Sequence, residues 1–184
     1  MSKILAKDTR SENKLSFLRV FITVLVFFVV LFIYLASPPD RRELGRQVKC
    51  QVNLKILRVS FTLYADEFDG CLPGVELWCD AIGKYMVPEN LICPGSNAKE
   101  GQSSYAMNEF LDGRKLAELP PDLVLLFESK PGWNKAGGPE ILTTEHHYEG
   151  GGCNILFADG NVKLVGTDKI SELKWEIGES NSDE

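Results

Sequence analysis

The N-terminal part of the chain contains one long apolar run. Residues 20–36, VFITVLVFFVVLFIYLA, carry Thr23 as their only polar side chain apart from the hydroxyl of Tyr34. Extended back to Leu15, with Arg19 reaching outward, the run measures about 33 Å as a helix. A hydrocarbon core is about 30 Å thick. The pattern therefore predicts a transmembrane helix over 15–36, preceded by a cytoplasmic segment over 1–14.

A cleavable signal peptide is the alternative to this anchor. Its apolar region would be about 7–15 residues long and would end in small residues at positions −3 and −1. The best cut, after Ala36, places the bulky Tyr34 at −3, which favours a retained anchor. Five basic residues precede the run and four follow it closely: Lys3, Lys7, Arg10, Lys14 and Arg19, then Arg41, Arg42, Arg46 and Lys49. This slight bias favours a cytoplasmic N-terminus and a translocated body.

A second periodic segment follows Pro38-Pro39. Asp40, with Glu43 three residues later, forms a capping box, and Gly70 followed by Pro73 ends the segment. Apolar residues between them recur at three- and four-residue steps and form one stripe: Leu44, Val48, Val52, Ile56, Val59 and Leu63. This periodicity predicts a long helix that continues the membrane helix after a proline joint.

Beyond the long helix the apolar runs become short. Residues 77–86 predict a short helix, whereas 89–95 and 103–110 are ambiguous and more typical of strand or extended chain. Residues 123–128, after Pro120-Pro121, predict a buried strand, and the glycine-rich residues 130–140 predict a loop.

The last apolar runs, 154–158 and 162–166, flank Asp159-Gly160-Asn161, a strong hairpin signal. A long helix followed by a small antiparallel sheet is an α+β fold. We expect one globular domain over 40–175 and a disordered acidic tail over 176–184.

Composition limits the classes of function. The net charge of −6 and the pI of about 5.1 argue against nucleic acid as a partner, because phosphate binding needs a basic face. The chain has five cysteines, an odd number, and lacks a C-x-x-C motif. Cys71 and Cys79 are the closest pair in sequence, but the spacing leaves the disulfide pairing open.

The stretch TEHHYEGGGCNILFADGNVKLV, residues 144–165, carries the densest candidate chemistry. One interpretation is a metal or catalytic cluster in which His147, Cys153 and Asp159 converge. The other is a glycine-rich loop that leads into a hairpin, with Asp159 in the turn and Gly160 at positive φ. Neighbours such as His146 and His147 point to opposite faces of an extended chain, and a hairpin tip faces solvent, so we favour the hairpin.

The pattern gives no catalytic, cofactor or metal residue that we would assign. Asp66, Glu67 and Asp69 offer hard oxygen ligands for calcium. They do not follow an EF-hand spacing, and a solvated helix end explains them as well.

The N-terminal helix running on through CQVNLKILRVSFTLYADEFDGCLP resembles the pseudopilins of type II secretion systems. More closely, the chain resembles a pilin-like, prepilin-type family of bacteria such as planctomycetes and lentisphaerae, whose signature is His, nine residues, then Asp-Gly. The segments ICPGSNAKEGQSSYAMNEFLDGRKLAELPPDLVLLFES and NILFADGNVKLV are similar to its middle region and closing hairpin. The resemblance implies a pilin-like fold, with His147, Asn154, Asp159 and Gly160 as structural motif residues.

Two departures from that family pattern change the expected assembly. His147 precedes Asp159 by eleven intervening residues, and SENKLSFLRVFITV lacks the processing glycine and the acidic residue of prepilins. An apolar span without a buried carboxylate gains little from association in lipid. We therefore expect a membrane-resident protein that is not a major filament subunit.

The resemblance implies a noncatalytic, single-pass protein of the bacterial inner membrane with its C-terminal domain in the periplasm. Its expected partners are the membrane and other pilin-like or secretion-system proteins, and no cofactor is implied. The alternative is an envelope metal-dependent enzyme or binding module that uses His147, Cys153 and Asp159.

Overall fold

The apolar N-terminal run forms the helix α1, Ser2–Ala36, in the computed structural model. The structure describes residues 2–36, 40–147 and 151–177. Within α1, Ser16–Tyr34 has a mean hydropathy of 2.7 and is not buried by the protein. Its length and composition suit a membrane anchor, although a signal sequence would meet the same criteria. The chain divides into two units, Met1–Arg41 and Arg42–Glu184, and the second carries the sheet.

The long helix predicted after the anchor is α2, Asp40–Glu67. It ends near Gly70, whose φ is +82° and whose N–H donates to the Ala65 carbonyl at 2.8 Å. A glycine in this conformation closes a helix without the steric cost of a side chain. The proline joint at 38–39 and the acidic tail beyond residue 177 lie outside the described residues.

The two sides of α2 both carry apolar side chains, but only one side is buried. The buried side holds Cys50, Asn53, Leu54, Leu57, Ser60, Phe61 and Ala65. The stripe recognised in the sequence lies on the other side, where Leu44, Val48, Val52, Val59 and Leu63 are between 42% and 57% exposed. Both sets recur at three- and four-residue steps, so periodicity alone does not indicate which one packs inward.

The sheet has five strands in the order β3-β1-β2-β4-β5. They are β1 Ser103–Asn108, β2 Val124–Gly132, β3 Ala136–Gly137, β4 Gly152–Phe157 and β5 Val162–Gly166. The β1–β2, β2–β4 and β4–β5 pairs are antiparallel, whereas β1 and β3 are parallel. The α+β class is therefore confirmed, and the predicted hairpin at 154–166 is present as β4 and β5.

Three local expectations need correction. Residues 88–91 form a 3-10 turn rather than a strand; it begins at Pro88, and Asn90 Oδ1 accepts from the Val87 N–H at 3.4 Å. The helix predicted over 77–86 shortens to α3, Trp78–Ile82, followed by another 3-10 turn. The predicted loop over 130–140 contains the end of β2 and all of β3.

The sheet is covered on both faces, which explains the near-continuous burial of β1, β2 and β4. Leu126 and Leu156 pack with the buried side of α2, and Val162 packs against the same cluster. Phe127 and Ile155 point to the other face, where Trp175 packs edge-on against Phe127 at 4.9 Å. Alternation along β2 and β4 therefore decides which polar side chains reach α2.

Candidate functional site

A charged residue, Glu128, lies at the centre of the interior between α2 and the sheet. It is fully buried on β2, on the same side as Leu126, because residues two apart share a face of a strand. A buried carboxylate is costly unless it is paired and hydrogen-bonded. The surroundings of Glu128 meet that requirement on several sides.

Asn154 of β4 supplies two of the hydrogen bonds to Glu128. Its backbone N–H donates to Glu128 Oε2 at 2.8 Å, and its side-chain amide donates to Glu128 Oε1 at 3.1 Å. Gln51 of α2 fixes the amide orientation by donating to Asn154 Oδ1 at 3.1 Å. Hydrogen bonds thereby connect Glu128 of β2 to Asn154 of β4, and Asn154 to Gln51 of α2.

His147 lies between two carboxylates. Its Nε2 is 2.8 Å from Glu128 Oε1, and its Nδ1 is 3.3 Å from Glu43 Oε1, near the start of α2. Burial lowers the pKa of His147, but the hydrogen bonds and charges of Glu128 and Glu43 outweigh burial, and the net pKa is raised. The protonated form would give a buried imidazolium held by two acids, a strong charge-assisted arrangement.

A disulfide between Cys50 and Cys93 borders this pair. The Cys93 sulfur lies 3.4 Å from Glu128 Oε1 and 3.3 Å from His147 Nε2. A disulfide sulfur carries no proton, so in this state neither contact is a hydrogen bond donated by a thiol. The bond links residues 43 apart, and closing a loop of that length stabilises the fold by about 4 kcal/mol in the chain-entropy description. We call Glu43, Cys50, Cys93, Glu128, His147 and Asn154 the buried polar cluster.

The segment around Gly95 packs tightly against the two histidines. A Cβ at Gly95 would lie 2.0 Å from the His146 carbonyl oxygen and 3.0 Å from His147 Cε1. His146 is also buried, and its Nδ1 has no hydrogen-bond partner among the residues that the structure describes. Burial is the main reason why the pKa of His146 is lowered. The pKa values of these adjacent histidines are thus shifted in opposite directions.

The structure places the predicted motif residues in two separate regions. His147 and Asn154 belong to the buried polar cluster. Asp159 is exposed in the β4–β5 turn, where it accepts from the Asn161 N–H at 2.8 Å, and Gly160 has a φ of +87°. Arg58 of α2 attaches this turn to the helix by donating from Nε and Nη2 to the Ala158 carbonyl at 3.3 and 3.1 Å.

The alternative cluster of His147, Cys153 and Asp159 is not brought together. Cys153 points to the opposite face of the sheet, beside Phe127 and Ile155. Burial raises the pKa of its thiol well above the usual value, so it has little thiolate character. The pKa of the Cys79 thiol is likewise raised by burial, to about 12.

Sequence reasoning overlooked most of the buried polar cluster. Glu128 was recognised only as the last residue of a buried apolar run, although an acid at such a position is itself a signal. The spacing left the disulfide pairing open, and the structure joins Cys50 to Cys93. The pairing leaves Cys71 and Cys79, the closest pair in sequence, as free thiols.

The candidate calcium ligands are at the end of α2. Glu67 forms a salt bridge with Lys84 at 2.5 Å, and Asp69 is in a positive-φ turn. The exposed salt bridge and the turn are typical of a solvated helix end. Among the described residues, the ligand-type atoms that lie within 4.8 Å of one another are instead those of Cys50, Cys93, Glu128 and His147.

Comparisons with known proteins give no match: no family model, no curated protein and no solved structure is similar to this chain.

Proposed function

We propose that this chain is a noncatalytic, membrane-anchored, pseudopilin-like protein, an accessory component of a type II secretion or type IV pilus-like envelope system. It would be held in the bacterial inner membrane by α1, with the second unit in the periplasm. The observation that carries the proposal is α2. This helix buries one side against the sheet and leaves the other side apolar and exposed.

The exposed stripe of α2 is what supports a role in assembly. Leu44, Val48, Val52, Val59 and Leu63 extend over about five turns of the helix, and contiguous apolar surface on a folded protein marks interaction sites. The stripe follows the membrane span directly in sequence. A helix anchored in this way would meet the corresponding helix of a neighbouring pilin-like subunit side by side, apolar side to apolar side.

The interior supports a noncatalytic role and an oxidising compartment. Glu128, His147 and Cys153 are each at most 3% exposed, so a substrate would have to open the fold to reach them. Their hydrogen bonds are made to one another and to neighbouring structural residues. A buried disulfide such as Cys50–Cys93 is typical of proteins outside the cytoplasm.

Site-specific cross-linking in intact membranes tests this role. A photoreactive residue at Val52 or Val59 should give adducts with pilin-like or secretion-system proteins. The same residue at Lys99, which is exposed and lies outside α2, should give few. Equal yields at the three positions, or adducts with lipid alone, would contradict the proposal. Release of the chain by alkaline carbonate would contradict the anchor.

A charge on the stripe provides the functional test. Val59→Asp should change stability by no more than about 0.5 kcal/mol, since the site is exposed, but should abolish the cross-links from Val52. Lys99→Asp, which introduces the same charge at an exposed position outside α2, is the control and should preserve them. Loss of folding in Val59→Asp, detected by tryptophan fluorescence, would show that the stripe is part of the core.

A further inference from the structure

We propose that, when the Cys50–Cys93 disulfide is reduced, Cys50, Cys93, Glu128 and His147 bind one zinc ion. The ligand atoms of these buried residues lie within 4.8 Å of one another. Two thiolates, one imidazole and one carboxylate are a donor set that zinc accepts in four-coordinate sites. The disulfide and the metal are alternative states, because bonded sulfur atoms lie too close together to act as two zinc ligands.

Two separations between the ligand atoms already match those of a tetrahedral site, and the two sulfur atoms move apart once their bond is reduced. With zinc–ligand bonds of about 2.0–2.3 Å, the ligand atoms of a tetrahedron are about 3.3–3.8 Å apart. The Cys93 sulfur is 3.3 Å from His147 Nε2 and 3.4 Å from Glu128 Oε1. His147 Nε2 and Glu128 Oε1, at 2.8 Å, need to separate by about half an ångström to accept a shared ion instead of a shared proton.

Groups outside the ligand set hold two ligands in the required orientation. Metal-binding histidines generally donate their other ring N–H to a carboxylate, and His147 Nδ1 faces Glu43 at 3.3 Å. Asn154 donates its backbone N–H to Glu128 Oε2, which leaves Oε1 directed at the histidine and the sulfur. These contacts fix the imidazole and the carboxylate before any metal arrives.

Replacement of the disulfide by a zinc site requires a reductant, and an external dithiol can supply the electrons. The dithiol gives two electrons and two protons to the Cys50–Cys93 bond and itself becomes a disulfide. Zinc binding then displaces the two thiol protons and the proton between Glu128 and His147. Four protein ligands and complete burial leave no open coordination position, so the ion would stabilise the fold and would not catalyse.

Zinc analysis of the full-length chain in detergent tests the proposal. The protein is reduced with excess dithiol, freed of reductant without oxygen, dialysed against zinc and analysed for bound metal. We expect one zinc per reduced chain and none per oxidised chain. Cobalt in place of zinc should give the intense visible absorption of a tetrahedral thiolate site. Binding that is equal in the oxidised protein would overturn the proposal.

Matched variants identify the ligands. Loss of a group that supports a ligand without binding the metal lowers metal affinity by about 10–100-fold. We expect Glu43→Gln to lower zinc affinity within that range. Cys93→Ser and His147→Ala, which remove ligands, should lower it further. Cys79→Ser and His146→Gln change residues of the same types outside the ligand set and should retain one zinc. Retention of zinc in Cys93→Ser, or its loss in Cys79→Ser, would contradict the assignment.

Alkylation gives a second measurement that does not depend on variants. In the reduced protein, zinc should slow modification of Cys50 and Cys93 at least tenfold, while partly exposed Cys71 should react equally with or without metal. If reduction unfolds the chain, zinc should restore the folded fluorescence. Failure of zinc to protect these two cysteines, or to restore the fold, would overturn the proposal.

Discussion

The predicted motif residues are divided between the buried polar cluster and the β4–β5 turn, and the two regions are stabilised by different kinds of contact. Around Glu128, the contacts come from α2, which is remote in sequence, and from β4 and the loop that carries His146 and His147, here called the histidine loop. Around Asp159, the carboxylate accepts from Asn161 two residues later, and Gly160 provides the positive φ. The arrangement of the cluster depends on the whole fold, whereas the conformation of the turn is set by a few adjacent residues and Arg58 attaches it to α2.

This difference predicts how the stability of each region responds to substitution. A charge in the interior has no access to water, so removal of its partner leaves an uncompensated charge. An exposed turn residue that loses a hydrogen bond is solvated instead. The tryptophans Trp78, Trp133 and Trp175 all lie in the second unit, so their fluorescence reports on both regions during unfolding in detergent.

The largest effect should come from His147→Ala in the oxidised protein. It leaves Glu128 buried without its cationic partner and should lower the free energy of unfolding by about 3–5 kcal/mol. Urea denaturation followed by tryptophan fluorescence measures the loss. Adding Glu128→Gln to the variant removes the charge and should recover part of the loss. If the two changes are additive, the pair is not electrostatically coupled.

The next largest effect should come from Gly95→Ala. The new methyl group would lie 2.0 Å from the His146 carbonyl oxygen, so the backbone must shift, at a cost of about 1–3 kcal/mol. Gly83→Ala is the control, because nothing lies within 4 Å of its Cβ and its φ is −57°. Equal stability of the two variants would show that the histidine loop yields to the methyl group.

The turn could be predicted from the sequence because its conformation is set by adjacent residues. Asp159 and Gly160 satisfy their conformation locally, so the dipeptide alone predicts the hairpin. Glu128 was not assigned a role because its partners are supplied by long-range pairing of β2 with β4 and by packing of α2. The sequence does not indicate that the partner of His147 is an acid on a strand.

The two sides of α2 illustrate the same limit. The helix itself followed from its capping box and periodicity, and its end at Gly70 from the breaker residues. The side that packs was not determined, because Leu54, Leu57 and Phe61 repeat at the same spacing as the exposed stripe. Partner surfaces, rather than the helix, select the buried side.

A substitution in the turn should have a smaller effect than one beside the cluster. Gly160→Ala places a side chain at a φ of +87° and should cost about 1–2 kcal/mol. Gly160→Asn is the matched variant and should cost less, because asparagine tolerates positive φ better than alanine. If alanine costs no more than asparagine, the turn is free to change conformation and is not fixed by Arg58.

The smallest effect should be the pH dependence of the contact between Glu43 and His147. The pKa of His147 is raised, so the charged imidazole contributes stability that is fully present below about pH 6.5 and is lost as the pH rises through the folded pKa. Glu43→Gln removes one of the two acids that raise this pKa. Because Glu43 is partly exposed, the loss should be about 1 kcal/mol or less.

Unfolding of the oxidised, metal-free protein across neutral pH measures this last effect. The stability difference between wild type and Glu43→Gln should be largest at acid pH and should shrink as His147 loses its proton. The lowered pKa of His146 acts in the opposite sense, since its burial costs stability as the pH falls, but it is present in both proteins and cancels in the difference. Glu89→Gln removes an exposed carboxylate outside the cluster and should give a flat difference. A difference that does not change with pH would mean that His147 is neutral in the fold, and that Glu128 is held by Asn154 rather than by charge.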